Sequence, residues 1–335
     1  MDKKYVGLNT EPNQTCGTAS VIRNSCKTGS CLQLQLPRDL QSRVQQIVTP
    51  LHLQLNHRMK MLLSEMADKV PGYYDLIIVS AVSSSHFEEG QAMLYNIHKH
   101  LFPHLRNFTF VYYNLGLSAE QRNILSKICR CHLIDFPFEL FPEFVRFRKC
   151  YTWKPLIVSA HISRSNLLVW IDASVRFNSE FNKFTELLNR ARSRGMQVFL
   201  NKQTIAHATL PSMFHFFGDE ACVYVNSSVT VATVLVFHNN LVVRRAIVEP
   251  WAACAISRRC MCPRGVDLFQ IRISCHLETG EYGTCHRFDQ SAISIILAKM
   301  YQDGLDYIVA PMKDYLDMKR GDKMKYPFVN ITKVI

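Results

Sequence analysis

LLVWIDASVRF, residues 167–177, sets an acidic side chain, Asp172, directly behind an unbroken apolar run. A run of this kind marks a strand buried on both faces of a parallel sheet. Asp172 then stands where such a strand emerges, and in open α/β sheets ligands bind beyond the carboxyl ends of the strands. Working upstream, the same texture recurs in DLIIVSAV (75–82), FTFVYY (108–113) and CHLIDF (131–136). Helical patterns over residues 88–101, 119–128 and 155–162 lie between them. Strand alternating with helix predicts right-handed crossovers and a doubly wound sheet. The expected fold class is α/β, a mostly parallel sheet flanked by helices. Downstream, VTVATVLVF (229–237) reads as a later strand and YIV (307–309) as the last. Residues 289–301 predict a helix with Ile293, Ile296, Leu297, Met300 and Tyr301 on one stripe, and Gly304 where it stops.

Around this core the texture changes. Residues 1–40 are polar and aperiodic, as in a flexible stem. Residues 41–70 carry apolar positions at helical spacing, broken at Pro50, and read as a helical lead-in. The main domain is expected over 71–312, with a C-terminal tail over 313–335. The chain has 335 residues, 48% hydrophobic and 20% charged, which excludes a coiled coil, a collagen or wholesale disorder. A net charge of +12 suits an acidic partner. The densest basic patches, Arg258-Arg259 and Lys319-Arg320 with Lys323 and Lys325, are short and lack interleaved aromatics, so no nucleic-acid partner is expected.

No apolar run reaches the roughly 20 residues of a membrane span, and the N-terminus has no signal-type apolar core. The twelve cysteines point the other way, since they cluster as a disulfide framework does in an oxidising compartment. The C-terminal portion is the richest in them. Sequons at Asn13, Asn107, Asn226 and Asn330 agree with a secretory location. The expectation that reconciles these signs is a lumenal protein, in the Golgi, whose membrane anchor lies upstream of this sequence. A rival chemistry uses Cys254, Cys260, Cys262, Cys275, His276, Cys285 and His286 as a structural zinc site, although the spacings match no standard finger.

Two strand ends offer chemistry. Behind Val82 comes SSSHFEEG, in which Ser83 and Ser84 present hydroxyls and amides to a nucleotide or merely cap the next helix. His86, Glu88 and Glu89 read as a solvated first turn. Asp172 either partners a divalent cation, as Mg2+ takes one or two carboxylates plus substrate phosphates, or caps the following turn. Trp153, Trp170 and Trp251 are stacking candidates for sugars, with Trp170 inside an apolar strand. Gly218-Asp219-Glu220 is either a contact loop or a solvated turn.

Asp172-Ala173-Ser174 behind LLVWI resembles the Asp-x-Asp motif of GT-A glycosyltransferases, and YTWKPLIVSAHI (151–162) resembles the helix those enzymes place upstream. The text from DLIIVSAVSSSHFEEGQAMLYNIHKHL through FPEFVRFRKCYTWKPLI to YGTCHRFDQSAISIILAK is similar to an animal family first catalogued from nematodes as a domain of unknown function. The resemblance implies a GT-A-like fold, a nucleotide-sugar donor and a glycan or glycoprotein acceptor. It implies Lys154 near the donor, and Asp289 as acceptor-side base or donor contact, with His286 and Gln290 beside it. The second carboxylate of the motif is Ser174 here, a poor cation ligand. Either Asp172 holds Mn2+ or Mg2+ with help from elsewhere, or Lys154 or Arg176 neutralises the diphosphate without a metal. A catalytically silent glycan- or protein-binding module is the alternative.

Overall fold

The computed structural model describes residues 36–263, 275 and 285–327. Four parallel strands form its centre: β1 (Tyr74–Val82), β2 (Phe108–Asn114), β3 (His132–Asp135) and β4 (Ser165–Ile171). Shorter strands follow as β5 (Val175–Phe177), β6 (Met196–Gln197), β7 (Leu200–Thr204), β8 (Ser228–Thr230), β9 (Val234–His238) and β10 (Leu316–Met318). The main sheet runs β3-β2-β1-β4-β9-β6, with β9 antiparallel to both β4 and β6. The expected α/β architecture with a mostly parallel sheet is thus the one observed.

The apolar runs explain why this sheet is a middle layer. Alternate strand residues point to opposite faces. Ile77, Val79, Leu168 and Trp170 enter one core, while Leu76, Ile78, Leu167 and Val169 enter the other. The first core is covered by α1 (Leu40–Val48), α2 (His57–Asp68), α5 (Trp153–His161), α7 (Pro211–Phe216), α8 (Glu249–Ala255) and α9 (Asp289–Tyr301). The second is covered by α3 (Phe87–His100), α4 (Ala119–Ile128) and α6 (Phe181–Arg194). Ile47 of α1 and Met59, Leu62, Leu63 and Met66 of α2 are part of the first core. Glu249, at the start of α8, accepts the Leu55 amide at 3.2 Å and pairs with Lys60 at 2.8 Å.

From β1 the chain steps outward to β2 and β3, then returns to place β4 on the other side of β1. The crossovers diverge between β1 and β4, which makes that strand boundary the topological switch point where ligands settle in such sheets. Val79 lies opposite Trp170 there, so Ser83 and Asp172 both emerge at the same edge.

Three segments differ from expectation. Residues 229–237 are two strands, not one, because the chain changes partners at the middle. β8 pairs with β7, and Thr233 then accepts the Asp172 amide at 2.9 Å as β9 starts its antiparallel ladder with β4. Residues 307–309 form no strand. The Val198 amide reaches the Ile308 carbonyl at 2.9 Å, but side chains share these carbonyls, Gln197 on Ile308 at 2.6 Å and Arg190 on Val309 at 2.7 Å, and the pairing stops at a single bridge to Val198. Within residues 313–335, Leu316–Met318 forms β10 against β5, and the Gly321 and Tyr326 amides then bond the side chains of Glu89 and Gln91 on α3.

Candidate functional site

Trp170 and Asp172, two residues apart, leave β4 on the face that carries α5. Lys154 lies in the first turn of α5 and is only 2% exposed. Its ammonium stands 3.0 Å from Asp172 Oδ1, 2.8 Å from Asp289 Oδ2 and 3.1 Å from the Ala232 carbonyl. The Ala232 contact has hydrogen-bond geometry, whereas the two carboxylates are held as ion pairs and Asp289 Oδ2 makes no hydrogen bond among the described residues. Trp170 Nε1 donates to the same Asp172 oxygen at 2.7 Å, fixing that carboxylate from a second side. Asp172 keeps 30% of its side chain exposed, against 7% for Asp289, so it is the carboxylate of the pair that a ligand reaches more readily.

Asp289 is the first residue of α9. It does not cap that helix: the preceding residue, Phe288, occupies the cap position and bonds no amide with its side chain. The Trp251 indole donates to the Asp289 carbonyl at 2.9 Å, which locks the helix start from behind. Burial pushes the Asp289 carboxyl above its ordinary range, with Lys154 opposing the shift and Asp172 adding to it. Burial also disfavours the charge on Lys154, but the carboxylates of Asp172 and Asp289 outweigh it and hold the ammonium above its usual value.

Two of the five non-glycine residues with positive φ among the described residues flank this cluster. Tyr151, three residues before Lys154, has φ 53°, and Phe288, next to Asp289, has φ 46°. Both are bulky side chains in a region that favours glycine, and such outliers persist only where the surroundings overdetermine them. Their rings face each other at 6.0 Å. Disulfides supply the restraint. Cys150–Cys262 fixes the residue before Tyr151, Cys275–Cys285 lies just ahead of Phe288, and Cys254–Cys260 closes the end of α8. These pairings consume the cysteines of the zinc alternative, and among the described residues no cluster of metal-ligating side chains forms. His276 lies outside the described residues.

The other candidates are placed as follows. Ser83 and Ser84 sit at the end of β1, beside the β4 edge. Ser84 binds the Gly116 carbonyl at 2.8 Å, and Ser83 and Ser85 share a hydroxyl contact at 3.1 Å. Gly116 has φ 114°, and a Cβ there would meet the Arg148 guanidinium at 2.8 Å. Arg176 is engaged elsewhere in the fold. Its guanidinium donates to the carbonyls of Ala173 and Val175 at 2.7 and 2.8 Å and pairs with Asp322 at 3.1 Å, joining β5 to the C-terminal segment. His286 is fully buried and accepts the Leu210 amide on Nδ1 at 3.3 Å, and burial pushes its pKa down to about 4, so it is a neutral core group. Gln290 is half-buried in the first turn of α9. Trp153, Trp170 and Trp251 are all buried and none offers a face for a sugar. Within Gly218-Asp219-Glu220, Asp219 is tied down by Lys299 at 2.8 Å, while Gly218 is exposed.

No local sequence pattern marks Tyr151 or Arg320 as neighbours of this cluster, while Arg287 stands in the polar turn between His286 and Gln290. Arg287 precedes Phe288, is half-buried, and its buried Nε has no partner. Arg320 follows Lys319, whose amide bonds the Ser174 carbonyl at 2.8 Å. The charges acting on Arg287 include Arg320 and Asp289, and those acting on Tyr151 include Asp289, Lys154, Asp172 and Arg320. Lys319-Arg320 was legible as a basic patch, but nothing in the sequence says that the tail folds back to Ser174.

The side chains around Asp172 suit an ammonium better than a divalent cation. Asp172 Oδ1 is already occupied by the Trp170 indole and the Lys154 ammonium, and Ser174 offers only a hydroxyl. A divalent cation on Asp172 would lie within roughly 5 Å of the Lys154 charge, a repulsion of roughly 7 kcal/mol at an effective dielectric of about 20.

An α/β domain with a charged cluster at its switch point is the class that fold and site define. Residues 42–159 match a family described as a protein of unknown function (DUF1647). No curated protein matches the sequence. Similar solved structures include galactosyltransferase LgtC in complex with donor and acceptor sugar analogues, 14% identical with a TM-score of 0.40, covering 70% of this chain and 72% of that one. Core-mannan synthase CmsA/Ktr4 of Aspergillus fumigatus, in a Mn/GDP form, is 10% identical with a TM-score of 0.40, covering 72% and 74%. Mouse xyloside xylosyltransferase 1, in its apo form, is 9% identical with a TM-score of 0.34, covering 71% and 84%.

Proposed function

We propose that this chain is a glycosyltransferase that moves a sugar from a nucleoside-diphosphate donor to a hydroxyl of a glycan or protein. The observation that carries this is the convergence of Asp172 and Asp289 on the buried ammonium of Lys154 at the β1/β4 switch point. A buried charge cluster is expensive to desolvate and earns no stability over an apolar core, so its presence in a ligand-binding position favours a functional role.

In this scheme Ser83 and Ser84 face the nucleotide, and the outer oxygen of Asp172 receives a hydroxyl of the donor or acceptor. Asp289 positions Lys154, and His286 and Gln290 support the start of α9. The acceptor oxygen forms a bond to the anomeric carbon, the bond from that carbon to the phosphate oxygen breaks, and its electron pair leaves with the nucleoside diphosphate. The hydroxyl proton passes to a carboxylate, the work of a general base.

The disulfides support an oxidising, secretory compartment such as the Golgi lumen. Among the described residues no helix is long and apolar enough to cross a membrane, so attachment there would need an anchor outside them.

Asp172→Asn should retain the fold and lose at least about 100-fold of donor turnover, by analogy with removal of a positioned base or charge. Release of nucleoside diphosphate from a panel of sugar donors measures it. Full turnover in that variant would remove Asp172 from the site. Donor binding without turnover in the wild-type chain would instead favour the silent binding module that Ser174 brings to mind.

A further inference from the structure

A diphosphate bound at this site would lie beside the carboxylates of Asp172 and Asp289, so positive charge has to balance it. We propose that the site is metal-independent: the Lys154 ammonium takes the place of a cation between Asp172 and Asp289, and the guanidinium groups of Arg287 and Arg320 clamp the diphosphate. This rests on the donor reading and specifies how that donor is held.

Two observations support the first half. The ammonium is buried, lies within 3.0 Å of both carboxylates and donates to the Ala232 carbonyl. A divalent cation would need carboxylate oxygens, and the accessible oxygens belong to Asp172 alone, because Asp289 is closed off and position 174 is a serine. The cluster is also held rigidly, by the Trp170 indole on Asp172, the Trp251 indole on the Asp289 backbone and disulfides beside the starts of α5 and α9. Rigid placement of a fixed positive charge is what a site needs to dispense with a metal.

The second half follows from charge balance. Lys154 with Asp172 and Asp289 sums to one negative charge, which repels a diphosphate. Arg287 and Arg320 reverse the sign. Arg287 is fixed by its backbone, whose amide donates to the Ala208 carbonyl at 2.9 Å, yet its buried Nε has no partner. Arg320 is carried to the Asp172–Ser174 turn by the bond between Lys319 and Ser174. Neither guanidinium forms an ion pair with a carboxylate among the described residues, although arginines elsewhere do, as Arg122 with Asp135 and Arg176 with Asp322. Two unneutralised guanidinium groups in one neighbourhood repel each other, and a bidentate phosphate ligand between them turns that repulsion into binding.

Calorimetric titration of the full chain with UDP and with GDP, first in EDTA and then in excess Mn2+, tests this. The expected result is binding of at least one diphosphate with the same Kd, within about threefold, in both media. Arg320→Gln and Arg287→Lys should each weaken it by about tenfold or more, with thermal unfolding of the variants unchanged enough to show that they fold. Binding that vanishes in EDTA and returns with Mn2+ overturns the metal-independent site and leaves the donor reading intact. Wild-type affinity in both arginine variants overturns the clamp. No binding of either diphosphate in either medium overturns the donor reading, and this inference with it.

Discussion

Lys154 shows how much one side chain can carry. Its ammonium is the only cation in contact with the buried Asp289 carboxylate among the described residues, and methionine would fill much of its volume without its charge. Breaking a buried pair by removing one partner strands the other, which typically costs about 3–5 kcal/mol. Lys154→Met should therefore lower the urea-unfolding free energy by about that much, and adding Asp289→Asn should recover part of it. A loss below about 1 kcal/mol, the level of an exposed pair, would mean that the cluster is hydrated and not desolvated by the fold. Asp172 was legible as a site candidate because a carboxylate after a buried strand is costly wherever it points. Its partner was legible only as a basic residue on a nearby helix. That Lys154 spans to Asp289, 135 positions further along the chain (289 less 154), depends on packing that no local pattern encodes. Arg176 illustrates the converse, since its position beside the motif suggested a ligand contact, whereas three-dimensional neighbours give it carbonyl acceptors and Asp322.

At the scale of elements, the starts of α5 and α9 carry the site, and each is braced by a disulfide. Cys150–Cys262 closes a loop of 112 residues and Cys129–Cys131 spans only two. Loop-closure entropy makes the long bridge worth on the order of 4–5 kcal/mol in the chain-entropy account, and the short one little. The double substitution Cys150→Ser with Cys262→Ser should lower the melting temperature by several degrees and weaken diphosphate binding as well, because α5 loses its anchor. Cys129→Ser with Cys131→Ser, on the far side of the sheet's order at β3, should leave binding unchanged. Equal effects from the two pairs would dissociate the bridges from the site. The elements themselves were largely legible: β1, β2, β4 and the helices between them follow from apolar runs and helical spacing, because a strand buried on both faces has no other composition open to it. The split of residues 229–237 was not legible. Both halves are apolar, and the change of partner at Val231 to Thr233 is set by where β7 and β4 lie. The disulfide connectivity was likewise closed to sequence, since spacing alone does not rank the possible pairings.

Over the whole molecule, the acid response is set by three histidines that the fold keeps neutral. Burial lowers His98 and His286 to about 4 and His161 to about 3, from an ordinary 6.5. His98 is tied to the Cys129 carbonyl at 2.9 Å and the Tyr326 hydroxyl at 2.9 Å, so it also fastens the C-terminal segment to α3. His161 meets the Tyr113 hydroxyl at 2.8 Å beneath the sheet. In each case the folded pKa is depressed, so below pH 6.5 the unfolded chain takes up protons that the folded chain refuses. Stability is then complete above about pH 6.5 and declines as the pH falls toward 4. By pH 5 each group contributes about 2 kcal/mol of loss, and three together approach about 6 kcal/mol, a large share of the usual 5–15 kcal/mol of a domain. Asp289 works in the opposite sense, because burial raises its carboxyl and its protonation relieves a folded-state penalty, which trims the decline. Urea unfolding at pH 7 and pH 5 should show the drop, and His161→Gln should reduce it by about a third. A free energy that stays level between those two pH values would show that the three rings are solvated in the folded chain, and that the core on either face of the sheet is looser than the packing around them implies.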